Sequence, residues 1–366
     1  MPLTILSKNN FLNSGFELIL EKPNINSLAV QLAYPILLFI ALSITSCYKD
    51  HYVATFPDKP VNIQDVNSEF DDYNSTSPDI GGNSPLMFST NRKSYGKNFN
   101  LIYVLLDVIM VKKTGVLYVG DNNEEALGGY AINYNLFHAT TKVNSPFYDV
   151  LGPYLIPLDV EDYRDSGLQE YPQSILLFAD NESGNFKIKY TENISSEDYS
   201  NPKAVTFLNS DSDNLYPCLN TENTAIYFCS NRNGDFDIYK TVFPKTDDIL
   251  SLLRDTTSRT IIKDTVLSSP YDDKCPFITG NLMVFSSNRP GGYGGYDLYY
   301  SVFVDDKWSA PINFGEPINS KYDEYRPIIR TYTEFSNDMM IFSSNRPGGK
   351  GGYDLYYVGI KKVSKL

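Results

Sequence analysis

The side chains best placed to do chemistry are an arginine and an aspartate that return along the chain at regular intervals. Arg92, Arg232, Arg289 and Arg346 each follow an asparagine: Asn91, Asn231, Asn288 and Asn345. After the last three arginines comes an aspartate in a common context: Asp237, Asp297 and Asp354. A guanidinium presents a rigid fork of donors that matches a carboxylate or phosphate, so such an arginine can hold an anion or tie a loop. Repetition decides between the two. A catalytic group is needed once, whereas a structural device is needed in every repeat. The arginines are therefore expected to tie their loops to a carboxylate or carbonyl, and all eleven residues are expected to serve the repeat.

Other chemistry is sparse. Of the two histidines, His51 sits in the segment read below as a tether and His138 lacks a nearby Ser/Asp or metal-ligand pattern, and GxSxG, HExxH and P-loop sequences are absent. No catalytic residue and no metal site are expected. Asp211-Ser212-Asp213-Asn214 and the run from Asn231 to Asp237 offer oxygens that suit calcium, but neither fits the EF-hand loop and Asx-turn hydrogen bonding accounts for them. No cofactor is expected, with calcium the alternative. Beyond Cys47, the odd set Cys218, Cys229 and Cys275 argues against a disulfide framework and for buried small hydrophobes, with a Cys218–Cys229 bridge as the alternative.

The elements that must position these residues repeat too. Phe285 to Tyr300 reads FSSNRPGGYGGYDLYY and Phe342 to Tyr357 reads FSSNRPGGKGGYDLYY, 57 residues apart. A third copy starts at Phe228, a fourth at Phe88, and weaker ones at Phe178 and Tyr118. An apolar stretch, a Ser/Asn/Gly cluster and a Tyr-Asp-Leu-Tyr-Tyr segment make a hairpin. Upstream recurs an Asn-Ser or Ser-Ser pair followed by acids and a proline, as in Asn319-Ser320 with Asp323-Glu324-Tyr325-Arg326-Pro327. The segment after that proline is expected to be innermost, and the stretch before Asn-Ser outermost. Four short strands per repeat predict an all-β fold, a β-propeller of six four-stranded antiparallel blades. Five blades with an insertion at 107–140 is the alternative. Pro60 to Tyr73 parallels Pro311 to Tyr325, so residues 60–66 are expected to complete the last blade and close the ring.

A net charge of −13 argues against binding nucleic acid. The apolar run 28–44 followed by Thr45-Ser46-Cys47 has the grammar of a secretory signal, with a transmembrane helix as the alternative. Ile44-Thr45-Ser46-Cys47 resembles a bacterial lipobox, which implies cleavage before Cys47 and lipid attachment to its thiol. The expected organisation is a signal peptide over 1–46, a tether over 47–59 and the propeller over 60–366.

The run Phe, Ser or Cys, Ser, Asn, Arg, then Gly and a later Tyr/Phe-Asp-Leu/Ile-Tyr resembles the TolB-type, WD-like propeller repeat of Bacteroidetes envelope proteins. The resemblance spans roughly 60–360 and is strongest in the last three repeats. It implies a non-catalytic envelope lipoprotein, anchored to the outer membrane and facing the periplasm or the cell surface, whose propeller binds another envelope protein. The alternative is a glycan- or peptide-binding propeller, enzymatic or not, with its site at the central channel. Function is expected where the repeats differ: Asp121–Leu127, 145–170 and Phe243–Asp264 with its Leu-rich Ile249–Leu253. Tyr293 and Tyr296 are candidate sugar-stacking residues.

Overall fold

The computed structural model describes residues 53–78, 85–111, 115–121, 136–158, 173–193 and 199–362. The signal segment 1–46 and its transmembrane alternative, the tether residues 47–52 including Cys47, 122–127 and 159–170 lie outside them. Among the described residues no helix is long and apolar enough to cross a membrane.

The chain is a five-bladed β-propeller. Strand β1 (Val61–Asn62) precedes blade 1, which holds β2 (Asp72–Thr76), β3 (Pro85–Thr90), β4 (Asn100–Val111) and β5 (Val116–Asp121). Blade 2 holds β6 (Val150–Pro157), β7 (Ser174–Asp180), β8 (Lys187–Asn193) and β9 (Lys203–Ala204). Blade 3 holds β10 (Asn214–Leu219), β11 (Ala225–Ser230), β12 (Asp237–Val242) and β13 (Ile262–Lys263). Blade 4 holds β14 (Asp273–Thr279), β15 (Leu282–Ser287), β16 (Asp297–Val304), and then β17 (Lys307–Trp308) and β18 (Ile312–Asn313), both paired with β16. Blade 5 holds β19 (Glu324–Arg330), β20 (Asp338–Ser344) and β21 (Asp354–Ile360), and β1 supplies its outer strand through Val61↔Tyr357 and Asn62↔Tyr356. Closure by residues 60–66 is thus as expected.

The expected six blades are corrected to five. The repeat-like stretch at 118 is β5, the outer strand of blade 1. β4 is twelve residues long: Asn100–Leu105 pairs with β3, and Leu106–Val111 runs on to pair with β5. The alternation of β5 imitates a new hairpin, which is why spacing alone miscounts. The insertion that follows carries helix α1 (Leu136–Val143), whose Ala139 and Val143 pack with Leu101.

The second strand of each blade is buried along its whole length. Neighbouring blades cover both of its faces, so it reads as a continuous apolar run rather than an alternation. The repeat's phenylalanine anchors each: Phe88, Phe178, Phe228, Phe285 and Phe342 are all fully buried, each stabilising by roughly 1.5–3 kcal/mol.

A second correction concerns proline. Pro217, Pro276 and Pro327 lie inside the innermost strands, which begin before them. They are tolerated because the innermost strand is an edge and each proline falls at a register shift, between Leu215 and Cys218, Lys274 and Phe277, and Tyr325 and Ile328.

Candidate functional site

Three layers surround the axis. The first is a ring of clips between blades. Asp71, Asp149, Asp213, Asp272 and Asp323 each precede an innermost strand. Each accepts, on Oδ1, the backbone N–H of an aromatic in the preceding blade: Tyr353, Phe99, Phe186, Phe236 and Tyr296, at 2.8–2.9 Å. The motif asparagine orients the same residue. The backbone N–H of Asp71, Asp213, Asp272 and Asp323 donates to Asn91, Asn231, Asn288 and Asn345, and that of Asp149 to Asn181, at 2.8–3.0 Å. The five aspartates escaped the choice of site residues although three of them, Asp71, Asp272 and Asp323, stand directly before a second acid. Their signal was there, but a hydrogen bond across a blade boundary leaves no spacing within one repeat.

The motif arginines reach the next residue along. Arg92 Nη2 meets Asp72 at 2.6 Å and the Val66 carbonyl at 2.8 Å. Arg289 meets Asp273 at 2.5 Å and Leu267 at 2.7 Å, and Arg346 meets Glu324 at 2.8 Å and Ile318 at 2.6 Å. In blade 3 the acceptor is Asn214, 2.7 Å from Arg232. Blade 2 has Val150 in place of the acid and Glu182 in place of the arginine, so both partners are absent together. The motif aspartates hold the hairpin loops. Asp297 accepts the N–H groups of Tyr293 and Gly294, at 2.6 and 3.0 Å, while Asp354 accepts that of Gly351 at 3.1 Å. Asp237 pairs with Lys263 at 2.7 Å.

The second layer is a plug. One residue of each innermost strand lies in the left-handed region at the bulge: Asn74, Gly152, Tyr216, Cys275 and Arg326. Three of their N–H groups turn sideways to the preceding blade: Asn74 donates to Ser343, Gly152 to Ser89 and Arg326 to Ser286, at 3.1–3.3 Å. At Gly152 a side chain is excluded, because a Cβ would strike the Tyr216 ring, and its φ of +62° suits glycine as well. Arg326 is the largest fully buried side chain; its guanidinium lies over the Tyr216 ring and its Nη2 donates to the Pro153 carbonyl at 3.2 Å.

The third layer is open. Where the innermost strands end, a cavity of about 380 Å³ forms the mouth of the channel. Its wall carries Thr76, Ser77, Asn220, Thr221, Thr279 and Thr331 as hydrogen-bonding side chains, Tyr154 and Phe277 as rings, and Arg330 as its charge. Arg330 is held in place by the Ser77 carbonyl at 2.7 Å. Burial raises the Tyr154 phenol, which therefore stays protonated and able to donate. The lining includes no Asp or Glu among the described residues.

Among the described residues of the segments singled out because the repeats differ, Tyr154–Pro157 line this mouth. The helix expected near Ile249–Leu253 is α2 (Ile249–Arg254), capped by Asp248 and packed on the outer core between blades 2 and 3. Tyr293 is exposed, whereas the Tyr296 hydroxyl is committed to Asp272 at 2.6 Å. Asp213 is occupied by the clip, and no group of three or more His, Cys, Asp or Glu able to hold a metal occurs among the described residues. Cys218, Cys229 and Cys275 are free and buried.

No family model matches the chain, and neither does any curated protein. Solved structures do match it. An α-L-arabinofuranosidase from Podospora anserina in complex with cellotriose is 11% identical over 84% of this chain and 96% of its own, with a TM-score of 0.44. A thermostable family-43 glycoside hydrolase is 12% identical over 84% and 95%, with a TM-score of 0.48. A GH62 hydrolase in complex with xylotriose is 10% identical over 86% and 99%, with a TM-score of 0.43. These proteins are described as glycoside hydrolases, two of them holding oligosaccharides. The expectation of a non-catalytic scaffold for an envelope-protein partner is corrected on that finding and is not carried further. At such identities the likeness is one of fold: the chain is a β-propeller, and its chemistry must be argued from its own residues.

Proposed function

We propose that this propeller binds a glycan at the mouth of its central channel. One observation carries the reading: a cavity of about 380 Å³ whose described wall combines hydroxyl and amide side chains with Tyr154 and Phe277 and a single charged side chain, Arg330. Sugars present the complement, a belt of hydroxyls around an apolar ring face. Few convergent polar groups in a concave, partly aromatic site are the usual makings of small-ligand recognition. Glycoside hydrolysis calls for two carboxylates flanking the scissile bond. The described wall supplies recognition, so turnover is assayed as a separate property.

The test is calorimetric titration of the full chain with xylo-, cello- and arabino-oligosaccharides, alongside an assay for released reducing ends. Saturable binding that weakens about tenfold or more in Phe277→Ala supports the reading. Absence of binding across the panel, or binding untouched by Phe277→Ala and Thr279→Ala together, overturns it.

We also propose that the chain is a TolB-type envelope lipoprotein held by lipid on Cys47. The Ile44–Cys47 tetrad and the apolar run before it support this. Fatty-acid label incorporated by the native chain and lost in Cys47→Ala is the expected result; label retained in the variant refutes it.

A further inference from the structure

We propose that the central channel binds one small anionic group, a halide or the carboxylate of a bound sugar acid, on the guanidinium of Arg326. The side chain is wholly buried, yet only Nη2 has a partner, the Pro153 carbonyl; Nε and Nη1 have none. An arginine does not give up its proton in a protein, and an uncompensated buried charge is among the most destabilising features a fold can carry. Three of the motif arginines show the contrast: Arg92, Arg289 and Arg346 each meet a carboxylate.

The neighbours of Arg326 do not supply the missing charge. Tyr154, Tyr216, Cys218, Cys229 and Cys275 all feel its field. Burial raises every one of them, Cys218 and Cys229 to about 12, so they remain neutral donors. A guanidinium flanked by phenols and thiols, with two unused N–H directions, has the chemistry of an anion receptor. The mouth lies close by, although Arg326 does not itself line it: Nη2 bonds Pro153, and the next residue, Tyr154, belongs to the wall. The sugar-acid source rests on the glycan reading of that mouth; the halide source does not.

The experiment follows the unfolding midpoint of the full chain during separate titrations with sodium bromide, sodium glucuronate and glucose, at an ionic strength held with sodium methanesulfonate. Crystals soaked in bromide are measured for anomalous scattering. Expected are a midpoint that rises and saturates with bromide, a bromide peak within hydrogen-bonding reach of Arg326 Nε or Nη1, and at least tenfold weaker dependence in Arg326→Met. Glucuronate competing with bromide identifies a sugar carboxylate as an occupant, whereas bromide binding without competition identifies an inorganic anion; either supports the site. No saturable response with no peak, or a response undiminished in Arg326→Met, overturns it. Should Arg326→Met not fold, the bromide peak in native crystals decides alone. Neutral-oligosaccharide binding measured on the same sample can persist when every anion arm fails, which separates loss of this site from loss of the glycan reading.

Discussion

Asp71 Oδ1 accepts the backbone N–H of Tyr353 at 2.8 Å, joining residues 282 positions apart. The Asp71–Tyr353 contact is the same clip that joins every other pair of blades, here made between the two ends of the chain. The N–H of Asp72 reinforces it by donating to the Tyr353 carbonyl at 2.7 Å. The ring is therefore shut by the ordinary junction plus β1, and four predictions follow from how such junctions are built.

Removing everything before Ser68 should lower the unfolding midpoint by roughly 10 °C, because Phe56, Ile63 and Val66 are buried in the seam between blades 5 and 1 and each contributes about 1.5–3 kcal/mol. Asp71→Ala in the full chain should reproduce a smaller part of the loss. Differential scanning calorimetry measures both. An unchanged midpoint on truncation would mean the ring does not depend on β1.

The arginine clasp should behave as a unit. Arg289→Ala leaves Asp273 fully buried without its cation and should cost about 3 kcal/mol. Arg289→Glu with Asp273→Val imitates blade 2, where Glu182 and Val150 stand at these places, and should cost less than the two single changes added together. Urea unfolding of the double-mutant cycle measures the coupling; strict additivity would show that the clasp is not a pair.

Two acids should push the acid limb of the stability curve in opposite directions. Burial by itself would raise the Asp272 carboxyl, but hydrogen bonds from Lys274, Tyr296 and the Phe236 N–H hold it below its usual 3.8. Its stabilisation is present above the unfolded value and is lost as pH falls through the folded one. Glu324 lies above its usual 4.5 because burial outweighs Ser320 and Arg346, so its contribution is present at low pH and is lost as pH rises through the folded value. Asp272→Asn should flatten the fall in stability as pH drops below about 3.8, and Glu324→Gln should remove the gain that accompanies a fall in pH towards about 4.5. Urea midpoints across that range decide the signs.

The paired glycines of the last two hairpins should prove unequal. A Cβ on Gly294 would run into the Tyr322 carbonyl, and one on Gly351 into the Phe70 carbonyl, both backbone groups of the following blade or its approach. Gly291 and Gly348 have positive φ but open space around them. Alanine at Gly294 or Gly351 should cost about 3 kcal/mol, and at Gly291 or Gly348 only about 1 kcal/mol. Thermal unfolding of the four variants gives the ranking.

The blades were legible in the sequence because side chains recur through them: the buried phenylalanine and the aspartate before the innermost strand in all five, and the Asn-Arg pair in all but blade 2. Even the pair Asn144-Ser145 fits the rule, since Asn144 grips both backbone groups of Leu101, at 2.7 Å each, as Asn319 grips those of Leu298. Blade number was not legible, because β5 carries strand alternation without the Asn-Arg pair. The plug was hidden for the opposite reason. Its five positions share a backbone conformation and not a side chain, so Asn74, Gly152, Tyr216, Cys275 and Arg326 give no pattern to find. The mouth is built from the far ends of the same strands, where the repeats also diverge.

That contrast has a consequence for how such a ring could change in descent. Every seam uses the same aspartate-to-backbone clip, so a seam does not distinguish its neighbours, and a blade duplicated or deleted whole would find compatible partners on both sides. Only the axis counts. Gly152 must make room for Tyr216, and Arg326 must reach Pro153 across the centre, so a sixth copy would leave these side chains without their partners. The rim is a modular chain of identical links, and the core is the lock that admits one number of them.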